Sequence, residues 1–356
     1  MKRRWKPAVF FLFLAMAGGV AGFWGGMRIA ADDEAGSQLL ALARALIYIG
    51  LSAYAHILLH EAGHMAAGLL TGYRFVSFRI ASWTLVRTGG RWALRRFSIP
   101  GTAGQCLMMP PQGVSRPPFV CYNLGGALAN LLCAAAGFAW CGAFGVIFGA
   151  MGLVIALANV IPLDAGVPND GYNLYVLLRS EAARHAFAAQ LSVNGLLSEG
   201  KRPHELPEAL YALDPDAQDL FSVTLRQMRY QRALDEGDLS GAQAELDAMQ
   251  AHRDRLPRLY VLELDCERAY MMMVQEESRE AVDRVYGGET RAFAQRAQFI
   301  LAHLRVEIAY ALQCEGDVAR AQELYARAAK LAASYPVAGE AACEMELMRA
   351  WMRRVS

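Results

Sequence analysis

Residues 60–64 read His-Glu-Ala-Gly-His. On an α-helix the two histidines stand at i and i+4, one turn apart on one face, so both imidazoles can reach a single metal ion while Glu61 stands beside its open coordination site. Such a centre suits zinc that activates water for peptide hydrolysis, with Glu61 as the base. His60 and His64 are therefore candidate zinc ligands, and catalytic zinc calls for one more from the protein. His56 lies a turn earlier, but another step of four rotates its ring by about 40° and carries it about 6 Å along the axis, which suits a supporting or pore-lining place better than ligation. The other source is the segment Asn159-Val160-Ile161-Pro162, followed after six residues by Asn169-Asp170-Gly171. Pro162 breaks a helix, and an Asp-Gly pair can turn sharply to aim the Asp170 carboxylate back toward the histidines. Asp164 is the alternative, without a following glycine.

These residues need a scaffold, and the sequence predicts an apolar one. Pro7 to Met27 is a run of 21 residues without a charge, preceded by Lys2, Arg3, Arg4 and Lys6. It has the length of a membrane span, although a removable signal peptide has the same basic start. Leu39 to Leu70 is apolar except at Arg44, His56, His60, Glu61 and His64, and is longer than a bilayer requires. Between Arg116 and Asp164 stand 47 uncharged residues, enough for two helices joined near Trp140 to Ala143. Spans are thus expected at about 39–70, 119–140 and 144–163, after an N-terminal one within residues 1–30. Residues 71–118 carry seven Arg and no acid, whereas Asp32, Asp33 and Glu34 occupy the first loop. Basic short loops mark the cytoplasmic side, so residues 71–118, the segment after Pro162 and the C-terminal half are expected in the cytoplasm. Asp170 and the histidine pair then both lie near the cytoplasmic face, where they can meet.

The paired motifs resemble the site-2 protease family of intramembrane zinc metalloproteases. That family carries H-E-x-x-H on one membrane helix and N-x-x-P…D-G on a later one. The resemblance covers about residues 39–171. It implies His60, His64 and Asp170 as zinc ligands, Glu61 as the base, and a membrane-spanning or signal-peptide-like protein as the substrate. It also implies that Asn159 orients substrate or steadies developing charge, and Asn130, in Gly125-Gly126-Ala127-Leu128-Ala129-Asn130, matches the family's glycine-and-asparagine stretch. The chain departs from the pattern in one respect: Asp170 follows Asn159 by eleven residues, where family members usually have eight. Tyr73 to Ser98 alternates around Thr88-Gly89-Gly90 and reads as a two-stranded hairpin, about residues 73–99. Strand-like elements at this place pair with unwound substrate in the family, while a bare hairpin would merely cap the membrane domain.

From Tyr172 to the C-terminus, Gly becomes scarce and apolar residues recur at helical spacing, so residues 172–356 are expected to form an all-α soluble domain. Residues 1–171 carry a net charge of +7 and the remainder −6, as befits two different solvents. Three segments align there, beginning Gly237-Asp238, Glu276-Glu277 and Gly316-Asp317, with Ala242, Ala281 and Ala321 spaced by 39 and 40. Such spacing resembles tetratricopeptide-like helical hairpins, which recruit peptide or protein partners, and a plain helical bundle is the alternative. His185, His204, His252 and His303 share no ligand spacing and are expected on the surface. The seven cysteines are scattered without a C-x-x-C pair and favour buried thiols over disulfides or a cysteine zinc site. No basic stripe interleaved with aromatics appears, which argues against nucleic-acid binding.

The expected fold is thus a polytopic α-helical membrane protein of about four spans, with a small cytoplasmic hairpin (core 31–171) and a repeat-like C-terminal domain. Its expected activity is zinc-dependent endoproteolysis in the membrane. The competing expectation is a scaffold without protease activity that recruits partners through its helical domain. An intact Glu61, which metal binding alone does not need, favours the enzyme.

Overall fold

The computed structural model describes residues 38–88, 90–97, 103–112, 117–140, 142–162 and 168–355, with residues 19, 22–23 and 25–27. The expected first span falls largely outside the described residues, and so does Asp164. The chain is mostly helical, with a small antiparallel β structure, and divides into two compact units. One is built from the chain up to Ile80 with Ala103–Arg179, the other from Ala81–Thr102 with Ser180–Ser356.

The first unit contains α1 (Gln38–Leu70), α2 (Phe119–Ala139), α3 (Ala143–Val160) and α4 (Asp170–Arg179). The first three are long and apolar enough to cross a membrane. At 33 residues α1 runs for about 50 Å, well beyond a hydrocarbon core of about 30 Å. The chain turns between α2 and α3 where the uncharged run is expected to fold back, and α3 stops just before Pro162. Ile161 is already extended there, with ψ at 119°. Burial in this unit is inverted relative to a water-soluble bundle: Leu128 and Leu132 face outward on α2 while Asn123 and Asn130 are buried. That pattern fits helices whose surroundings are apolar. Small residues let the helices touch, and α1 crosses α2 backbone to backbone. A Cβ on Gly63 would stand 2.3 Å from the Gly125 carbonyl oxygen, and one on Gly125 would stand 2.5 Å from that of Gly63.

Between α1 and α2 lie β1 (Arg74–Ile80), β2 (Trp83–Thr88), β3 (Arg91–Arg96) and β4 (Gly104–Met109). In the first unit β1 pairs antiparallel with β4, from Arg74 opposite Met109 to Ile80 opposite Gly104. In the second, β2 and β3 form a hairpin from Trp83 opposite Arg96 to Thr88 opposite Arg91, closed by Gly90 at φ 77°. The expected Gly turn is therefore present, but the stretch holds three strands where the sequence suggests two, and β4 was not anticipated. The break between β1 and β2 carries no Gly or Pro; Ala81 makes it at φ 50°, a left-handed conformation that leaves no turn signal in the sequence.

The unit boundary also departs from the expectation at residue 171. Helix α4 belongs with the apolar unit, and Ser180, accepting from the Ala183 N–H, starts the next helix. The second unit comprises α5 (Glu181–Ser198), α6 (Leu220–Glu236), α7 (Leu239–Gln250), α8 (Arg258–Val274), α9 (Arg279–Tyr286), α10 (Gly288–Arg296), α11 (Leu301–Tyr310), α12 (Val318–Ser334) and α13 (Ala338–Met352). Helix α11 is buried over its whole length. His303 therefore lies in the core rather than on the surface, bonded to the Ala297 carbonyl and Glu263. The β2–β3 hairpin packs within this unit, with Phe97 edge-on to Tyr335. The thiols are only partly buried as expected: Cys106, Cys266 and Cys343 are, whereas Cys121 is exposed.

The three aligned segments mark three helix–turn–helix corners. Each corner has a left-handed residue, Gly237 at φ 76°, Glu276 at φ 59° and Gly316 at φ 65°, followed closely by a side-chain N-cap from Asp238, Ser278 or Asp317. Glu276 is the one non-glycine of the set, and its pairing with Arg354 at 3.8 Å is exposed and offsets little. The Glu276→Gly variant is expected to stabilise the helical unit by about 1 kcal/mol. An unchanged or lower calorimetric unfolding temperature for that unit would refute the strain.

Candidate metal centre

The long apolar helix α1 presents His60 and His64 on the face that meets α2. Their Nε2 atoms stand 3.1 Å apart. The Asp170 carboxylate reaches the same point from α4, with Oδ2 3.0 Å from His60 Nε2 and 3.3 Å from His64 Nε2. These three residues form the one candidate metal-ligand group among the described residues, and both histidines are buried. Donors about 2.0–2.1 Å from a tetrahedral ion stand roughly 3.3 Å from one another, so the spacing fits a small divalent cation held by two imidazoles and a carboxylate. The group can hold a metal ion.

The surroundings prepare those donor atoms. His64 Nδ1 donates to the Tyr122 carbonyl at 2.7 Å, which leaves the Nε2 lone pair facing His60 and Asp170. Tyr122 is itself fixed, its hydroxyl donating to the Cys106 carbonyl at 2.8 Å and its ring stacked on Tyr73. Gly126 makes the room: a Cβ there would lie 2.6 Å from His60 Cε1 and Nε2 and from His64 Nε2. A side chain on Gly126 would occupy the donor atoms' own space.

Asp170 is the first residue of α4 rather than part of a sharp turn. Asn169 just before it accepts from the Tyr172 N–H at 2.9 Å, capping the helix, and donates to the Ala158 and Ile161 carbonyls at the end of α3, both at 2.7 Å. One amide thus ties the start of α4 to the end of α3. The glycine of the Asp-Gly pair serves close approach, since a Cβ on Gly171 would meet the Val160 carbonyl oxygen at 2.1 Å.

Glu61 projects beside β4. Its carboxylate accepts the Cys106 N–H and lies against Gly104, where a Cβ would come within 2.8 Å of Oε1. Arg79 on β1 is only 2% exposed, has its charge near Glu61, and places Nη2 3.4 Å from the Gly104 carbonyl. In the sequence Arg79 stands out only as one of the seven basic charges of residues 71–118. A register irregularity between Phe75 and Ser77 breaks the alternation along β1, so period-two counting gave no sign that Arg79 faces inward.

The other candidates make hydrogen bonds of their own. His56 Nε2 donates to the Phe148 carbonyl at 2.9 Å. Asn130 is buried and donates to the His56 carbonyl at 3.3 Å, while Asn159 donates to the Ile155 carbonyl of its own helix at 2.9 Å. Asn169 and Gly126 were not singled out from sequence. The Asn-Asp-Gly run after a helix-breaking proline was the available signal for the first, and the Gly-Gly pair for the second.

No protein-family model matches the chain, and no curated protein or solved structure matches it either.

The packing at Gly126 supplies a direct test. Gly126→Ala is expected to weaken the affinity for a divalent metal by about tenfold or more, measured with Zn2+ as the probe by competition with a chelating dye. Gly50→Ala, at a position with nothing within 4 Å, is the control and should bind as the native chain does. Equal affinity in all three chains would remove Gly126 from the site.

Proposed function

We propose that this chain is an intramembrane zinc metalloendopeptidase of the site-2 protease kind, which cuts membrane-spanning or signal-peptide-like proteins near the cytoplasmic face. The observation that carries the reading is the convergence of His60, His64 and Asp170 on one point inside an apolar helical unit, with Glu61 beside it. Ionisable groups are costly in such surroundings and are retained where they act.

His60, His64 and Asp170 would hold the ion. Zinc held there supplies Lewis acidity, which polarises a carbonyl and eases the ionisation of water. Glu61 takes the proton from the attacking water and returns it to the leaving amine as the peptide bond breaks. The Cys106 N–H holds the Glu61 carboxylate at the site through both transfers, and the nearby Arg79 charge favours its ionised form. Strand β4 lines Glu61, so an unwound substrate segment can add beside it by backbone hydrogen bonding.

In this reading the protein is multi-pass, with four spans counting the N-terminal one. The seven arginines of residues 71–118 favour a cytoplasmic place for that connection and, with it, for the C-terminal unit. The helical corners of the second unit support a tetratricopeptide-like role in recruiting a protein partner.

Cleavage of a co-expressed single-span reporter tests the proposal. Glu61→Gln is expected to lower cleavage by about 10²- to 10⁴-fold while keeping the zinc content of the native chain. If both chains hold zinc and leave every reporter equally uncut, the protein is a scaffold instead.

A further inference from the structure

The polar residues of α1 do not stop at the metal centre. Arg44, Tyr48, Ser52, His56, His60 and His64 follow one another at every fourth position. They form one ridge along the helix, about 30 Å from end to end. Its middle is buried completely, with Ser52 and His56 both at 0% exposure, as is Asn130 on α2. The packing there is tight. The His56 ring packs at a tilt against Phe148, with ring centroids 4.2 Å apart, and a Cβ on Gly152 would lie 2.3 Å from His56 Cε1.

Along this stretch four buried polar atoms meet no hydrogen-bonding group among the described residues: Ser52 Oγ, His56 Nδ1, Asn130 Oδ1 and His60 Nδ1. Their chemistry says what can satisfy them. His56 gives its Nε2 proton to the Phe148 carbonyl, so Nδ1 is an acceptor. Asn130 donates its amide to the His56 carbonyl, so Oδ1 is an acceptor too. His60, with Nε2 turned to the ligand group, carries its proton on Nδ1 and is a donor. The Ser52 hydroxyl is both. An anion is disfavoured by the two acceptors and a cation by the His60 N–H. A small neutral molecule that donates and accepts fits all four, and buried polar groups left by the protein are ordinarily satisfied in that way.

We propose that Ser52, His56 and Asn130 hold a file of internal water that ends at His60 Nδ1. The file lies on the side of His60 toward the N-terminus of α1, whereas Asp170 enters from the end of α3. Water therefore stands behind the metal ligands, where a substrate segment lying along β4 does not cover it. The His60 end of the file, and its use as a supply for hydrolysis, rest on the function proposed above. The hydration of Ser52, His56 and Asn130 does not.

Deuterium exchange at the histidine Cε1 position, read by mass spectrometry on the full zinc-loaded chain in lipid nanodiscs, tests the file. His303 is the internal reference, since it is equally buried at 0% but has both ring nitrogens bonded to protein. His56 is expected to exchange within about tenfold of the exposed His185 and at least about tenfold faster than His303. Asn130→Leu, and the milder Ser52→Ala, are expected to slow His56 toward the His303 rate. A native His56 as slow as His303 overturns the proposal, as does fast exchange that neither variant alters. Fast, variant-sensitive exchange in a chain that cuts no reporter would uphold the file and sink only the protease reading.

Discussion

Three ionisable side chains facing one another inside an apolar unit are the constraint from which the rest of that unit follows. Neither an imidazole nor a carboxylate is stable among hydrocarbon side chains unless its polar atoms are answered. Here they answer each other at 3.0 to 3.3 Å. Holding them that close requires α2 to reach the donor atoms without a side chain, which Gly126 permits, and α1 and α2 to cross at backbone distance, which Gly63 and Gly125 permit. It also requires a third element to bring the carboxylate, and Asn169 fixes the start of α4 for that purpose.

The strands complete the arrangement from another direction. Helix α1 cannot both turn Glu61 to the ligands and satisfy its carboxylate, so β4 supplies a backbone N–H, and the Arg79 charge on β1 stands nearby. The helical unit pairs its most buried charge. Arg305, with 0% exposure, donates to Glu267 at 2.9 Å and to Glu344 at 2.7 Å, and lies over the Tyr270 ring. Breaking such a pair from one side strands a charge in the core.

Much of this was legible because the signals were long or chemically specific. The 47-residue uncharged run marked two helices and the place of their turn, and the histidine spacing put two imidazoles on one face before any packing was known. Asp170 was legible from its place after Pro162 and the glycine that follows it, and the resemblance strengthened that reading. Spacing alone left Asp164 and His56 open, and His56 is engaged elsewhere by the Phe148 carbonyl. What could not be read depended on contacts between distant segments. Arg79 faces inward because β1 slips register, β1 and β2 part at an alanine in a left-handed conformation, and His303 is buried because α11 is surrounded on all sides. No local pattern in the sequence records any of the three.

X-ray absorption at the zinc edge, on the full-length chain purified in lipid, tests the central claim most directly. The account predicts two imidazole nitrogens with carboxylate and solvent oxygen at about 2.0–2.2 Å, no sulfur shell near about 2.3 Å, and loss of one oxygen ligand in Asp170→Ala. A sulfur shell, or a shell unchanged by Asp170→Ala, would contradict it.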